Sequence, residues 1–66
     1  MQIVINGDPR CLNAGLTVAG LVRELGFSEH RIAVEVNREI IMREQYGERT
    51  LADGDQVEIV HFVGGG

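Results

Sequence analysis

Thr17-Val18-Ala19-Gly20-Leu21-Val22-Arg23-Glu24-Leu25-Gly26 is the stretch on which the fold turns. Val18, Leu21, Val22 and Leu25 stand at i, i+3, i+4 and i+7, one apolar stripe along a helix. Thr17 is placed to cap the N-terminus, its hydroxyl accepting from a backbone N–H with no helical partner. Gly26 stands where a left-handed C-terminal cap belongs. The spacing predicts one helix, Thr17 to about Leu25.

On either side the apolar period drops from 3.6 to 2. Met1 to Asn6 reads as a strand, with Ile3 and Ile5 on one face and Val4 on the other. Asn6-Gly7 is a two-residue hairpin turn, extended by Asp8-Pro9, and Arg10 to Asn13 is the return strand. Downstream, Ile32, Val34 and Val36 alternate with Ala33 and Glu35. Asn37-Arg38 turns the chain into a short strand from Glu39 to Met42. Arg43 to Thr50 is polar and irregular, with Tyr46 and Leu51 as anchors. Asp53-Gly54-Asp55 is a tight turn before a last strand, Gln56 to Val63. Strands at both ends with one helix between them predict an α+β fold. It is a five-stranded mixed sheet with one long helix packed across it. The first and last strands are central parallel neighbours, joined through the helix. That is the β-grasp arrangement.

The size and charge narrow the function. Sixty-six residues make one domain with a thin core and little room for an enclosed catalytic cleft. Ten acidic residues stand against six arginines, with no lysine, for a net charge of −4. Nucleic acid is therefore not an expected partner, and proteins with a positive docking surface are. A single cysteine forms no internal disulfide and fits a reducing cytoplasm. No apolar run is long enough for a membrane span, and no signal peptide is read at the N-terminus.

From Ala33 onward the sequence resembles a known family. The residues that carry the likeness are Ala33-Val34-Glu35-Val36-Asn37, Ile40-Ile41, Arg43, Leu51-Ala52-Asp53-Gly54-Asp55, Val57-Glu58-Ile59-Val60 and Val63-Gly64-Gly65-Gly66. Met1-Gln2-Ile3, Asn6-Gly7, Thr17-Val18, Leu21 and Leu25 extend it over essentially the whole chain. It is similar to the ThiS sulfur carriers of thiamin biosynthesis, within the ubiquitin-like β-grasp group. One departure is Met42, where the family commonly has proline.

The resemblance implies a single domain, 1–66, ending in a flexible glycine tail, 64–66. Gly66 is then the reacting residue: a ThiF-type adenylyltransferase adenylates its carboxylate with ATP. A sulfur-transfer enzyme, a cysteine desulfurase or equivalent, completes a thiocarboxylate, and thiazole synthase receives the sulfur. The chain is then no enzyme but a monomeric protein co-substrate, holding neither cofactor nor metal. The same chemistry could serve molybdopterin or cysteine synthesis. A ubiquitin-like modifier and a noncatalytic β-grasp binding module are the other readings.

Glycine suits such a tail, since without Cβ it can thread a narrow channel. Three extended residues reach roughly 10 Å at about 3.3–3.6 Å each. Val60, Phe62, Val63, Gly64 and Gly65 are the expected partner-binding residues, Val60 and Phe62 making an apolar patch beside the tail. Cys11 is read as a packed residue with no role in sulfur transfer. His30 and His61 lack companions for a metal site. Glu24, Glu29, Glu35, Glu39, Glu44 and Glu48 are read as solvated surface, a minority of them facing a partner.

Overall fold

The computed structural model describes residues 1–62. Five strands, β1 (Gln2–Ile5), β2 (Asp8–Cys11), β3 (Ile32–Val36), β4 (Glu39–Ile41) and β5 (Gln56–His61), form one sheet in the order β2-β1-β5-β3-β4. β1 and β5 are parallel and central, and the other pairings are antiparallel. One helix, α1 (Val18–Glu24), crosses between the β1–β2 hairpin and β3. This is the β-grasp architecture expected from the two periodicities.

The helix begins and ends as its residues require. The Thr17 hydroxyl accepts from the Gly20 N–H at 3.1 Å, and Gly26 has φ +80°. Two further unpaired N–H groups of the first turn are satisfied from a distance. Val18 N–H donates to Arg49 O at 2.9 Å and Ala19 N–H to Tyr46 O at 2.8 Å. The polar loop after β4 is thus fastened to the helix start. It contains a turn of 3₁₀ helix, Arg43–Gln45, and another, Glu29–Arg31, precedes β3. Neither was expected, because a single 3₁₀ turn has no apolar period to announce it.

Val18, Leu21 and Val22 pack with Ile3, Ile5, Ile32, Val34, Val36, Val57 and Ile59 in one core, and Leu25 lies partly buried against it. Tyr46 and Leu51 join that core as the loop's anchors. Each such side chain withdrawn from water contributes about 1.5–3 kcal/mol before chain entropy opposes it.

Two expectations need correction. Asp8 and Pro9 do not extend the turn; they open β2, with Ile5 opposite Asp8 and Val4 opposite Pro9. Asn6 (φ +49°) and Gly7 (φ +85°) reverse the chain in two residues, so pairing resumes at once. Proline is tolerated because β2 is an edge strand with a free side. Cys11 is not packed but exposed, for the same reason.

Candidate functional site

The last strand alternates from Gln56 to Val60. Val57 and Ile59 are buried on the helix side, while Gln56, Glu58 and Val60 face outward. β3 repeats the pattern, with Ala33 and Glu35 outward and partly exposed. Among the described residues no helix covers this second face: the one α-helix packs on the other. Among the described residues β5 is therefore buried on one side only.

Large apolar side chains collect on the open side. Val60 is 56% exposed, Phe62 51%, Ile40 68% and Met42 57%. Cross-strand register brings Ala33 opposite Val60, and Glu35 opposite both Ile40 and Glu58. Phe62 N–H donates to Arg31 O at 2.8 Å, continuing the ladder one residue beyond β5. Of the expected partner-binding residues, Val60 and Phe62 therefore lie on one exposed face. Val63, Gly64, Gly65 and the reacting Gly66 lie outside the described residues.

Two asparagine side chains hold this strand in place. Asn6 Nδ2 donates to Ile59 O at 3.2 Å, and its Oδ1 accepts from Ile59 N–H at 2.8 Å. Asn37 Oδ1 accepts from Gln56 N–H at 2.9 Å. Its Nδ2 donates to Asp55 at 3.0 Å, and Asp55 also accepts from Ala52 N–H at 2.8 Å. Asp55 is thus a buried carboxylate with its oxygens partnered, as burial requires. By their sequence context Asn6 and Asn37 are turn residues alone. Their tolerance of positive φ was legible, and their long-range bonds were not.

Elsewhere the surface offers less chemistry. His61 lies beside Phe27, ring centroids 5.4 Å apart, both residues exposed. Among the described residues no three His, Cys, Asp or Glu side chains cluster as metal ligands. No helix among them is long and apolar enough to cross a membrane. A shallow groove of about 360 Å³ runs between β4 and the following loop, lined by Glu39, Ile40, Ile41, Gln45, Glu48 and Arg49. The Arg49–Glu39 ion pair, 3.6 Å, spans residues of its lining. It lies at the β4 edge, whereas the tail follows from central β5.

Comparison with known proteins places this geometry. The chain is 46% identical over 66 residues to the thiazole synthase of Magnetococcus marinus, matching all of this chain and 20% of that protein. It is also 46% identical to a second thiazole synthase, from Paramagnetospirillum magneticum, and again spans 20% of that protein's length. The sulfur carrier protein ThiS of Escherichia coli is 33% identical, with both chains covered completely. The crystal structure of the thiamine biosynthesis protein ThiS from Geobacter metallireducens superposes with a TM-score of 0.85 at 35% identity, again over both whole chains. With residues 3–66 matching the ThiS family, the chain belongs to that family.

Proposed function

We propose that this chain carries sulfur in thiamin biosynthesis as a thiocarboxylate on Gly66. The observation that carries the reading is a family match that continues through Gly66 itself. An exposed apolar sheet face on the strand leading to that residue supports it.

The chemistry follows from the carboxylate. Ionised at pH 7, it is a poor electrophile. Attack of its oxygen on the α-phosphorus of ATP releases pyrophosphate and leaves an acyl-adenylate. A sulfur nucleophile at the hydrosulfide level then adds to the carbonyl and expels AMP, giving the thiocarboxylate. The ATP site belongs to a ThiF-type adenylyltransferase, and a cysteine desulfurase or equivalent supplies the sulfur as a persulfide, which a thiol reductant brings to the hydrosulfide level while a disulfide forms. Thiazole synthase is the acceptor, a choice supported by the relatives that bear that name. In this reading the chain's own task is to dock through Val60, Phe62 and Val63 and present Gly64-Gly65-Gly66.

The test is direct. Incubated with a ThiF-type adenylyltransferase, ATP and sulfide, the chain gains the mass difference between sulfur and oxygen. The new group is alkylated at Gly66. Deleting Gly66 abolishes the change and leaves the circular dichroism spectrum as it was. Sulfur found on Cys11, or Gly66 found joined to lysines of other proteins, overturns the carrier reading.

A further inference from the structure

Asn6-Gly7 is the one asparagine–glycine step in the chain. The backbone nitrogen that follows an asparagine can attack the side-chain Cγ and close a succinimide ring. Glycine leaves that nitrogen unshielded, whereas Asn13 is followed by Ala14 and Asn37 by Arg38, whose side chains crowd it. The turn adds to this. Gly7 is exposed at φ +85°, with open space where a Cβ would stand. Among the described residues its N–H donates to no group of the chain. The folded chain opposes the attack through β5. Cγ of Asn6 carries both atoms that bond Ile59, Nδ2 donating to its carbonyl at 3.2 Å and Oδ1 accepting from its N–H at 2.8 Å. Turning Cγ toward the Gly7 nitrogen breaks both bonds.

We propose that Asn6 is a deamidation site gated by the release of β5. When the Ile59 half of β5 parts from Asn6, the Gly7 nitrogen attacks Cγ and gives up its proton. The Cγ–Nδ2 bond breaks and ammonia leaves. Water then opens the ring, at one carbonyl to give aspartate and at the other to give isoaspartate. The reaction consumes one water and needs no oxidant or cofactor. Neither product restores the closed state. In both, a carboxylate oxygen has replaced the amide donor, so Ile59 O loses its partner. Isoaspartate also adds a methylene to the main chain between β1 and β2, which displaces the pairing of Ile5 with Asp8. An opening that is transient in the unmodified chain thereby becomes permanent. It lies in the half of β5 that carries Val60 and leads to Gly66. The proposal does not rest on the carrier reading, which the Gly66 assay tests by itself.

The experiment incubates the full chain at neutral pH, folded in buffer and unfolded in guanidinium chloride. Peptide mapping by mass spectrometry follows Asn6, Asn13 and Asn37, and enzymatic methylation reads isoaspartate. Unfolded, Asn6 is expected to convert ahead of the other two, with isoaspartate among the products. Folded, it is expected to convert about thirtyfold more slowly, the factor that two net hydrogen bonds supply. Hydrogen exchange at the Ile59 N–H measures the opening independently. The converted chain should lose protection there and show a lower urea midpoint. Equal rates in the folded and unfolded chain overturn the proposal, as does an unfolded chain in which Asn13 or Asn37 converts first. So does a folded chain that shows no conversion over about a hundred unfolded-state half-lives, or a converted chain that keeps its Ile59 protection.

Discussion

The side-chain amide of Asn6 makes both backbone hydrogen bonds of Ile59, donating to its carbonyl and accepting from its N–H. Asn6 N–H itself donates to Val57 O at 2.9 Å, after which the main chain turns away at φ +49°. The amide then stands in for the next residue of β1 and extends the parallel ladder along β5. It pins the half of β5 that carries Val60 and leads to the tail.

Asn6→Ala should therefore cost about 3 kcal/mol in urea unfolding: about 1 for each lost bond and 1 for a side chain in the left-handed region. Asn6→Asp keeps the acceptor for Ile59 N–H but sets a carboxylate oxygen against Ile59 O where the donor stood, so it should also destabilise, and more so above the carboxyl pKa than below it. A loss below about 0.5 kcal/mol for Asn6→Ala would show that the ladder does not need the amide.

Phe62→Ala separates docking from folding. The ring is half exposed on the uncovered face, so its removal should cost about 1 kcal/mol of stability or less, against about 3–5 for a core phenylalanine. Binding to the adenylyltransferase should fall about thirtyfold, as for an aromatic anchor. Unfolding curves and calorimetry on the same preparation decide between the two roles.

Met42 occupies a position already shaped for proline. Its φ is −72° and ψ 144°, and it follows a strand residue, as a proline prefers. Met42→Pro should raise stability by about 0.4–1 kcal/mol through the unfolded chain, read as a higher urea midpoint. A lower midpoint would mean that the Met42 side chain or N–H contributes to the fold.

Tyr46 makes stability depend on pH at the alkaline end. Burial, and to a smaller extent Glu29, raises its pKa above 10.0, against opposing effects of Arg43 and a backbone bond at Val34. The folded state holds the proton more tightly than the unfolded one. The stabilisation is complete below pH 10 and is lost as pH rises through the folded value. Tyr46→Phe should flatten this decline in thermal melts across that range; an unchanged slope would place its origin elsewhere.

Cys11 is exposed on edge strand β2, accessible yet apart from the strand that leads to Gly66. Cys11→Ser should leave the yield of Gly66 thiocarboxylate nearly unchanged in the mass assay. A large drop would move the sulfur chemistry onto the thiol.

By itself the sequence determined the elements and the family. The 3.6-residue stripe from Val18 to Leu25, the alternation of Ile32, Val34 and Val36, and the Asn6-Gly7 turn are local patterns, read within a few residues. Tertiary structure alone decided which face of β5 stays open, that Glu35 meets Glu58, and that Asn6 reaches Ile59 across 53 positions. It also decided that Tyr46 and Arg49 carbonyls complete the start of α1. The reason is register: a strand's own pattern says which residues alternate, and only the packing of a shared core sets which residues of distant strands stand opposite one another.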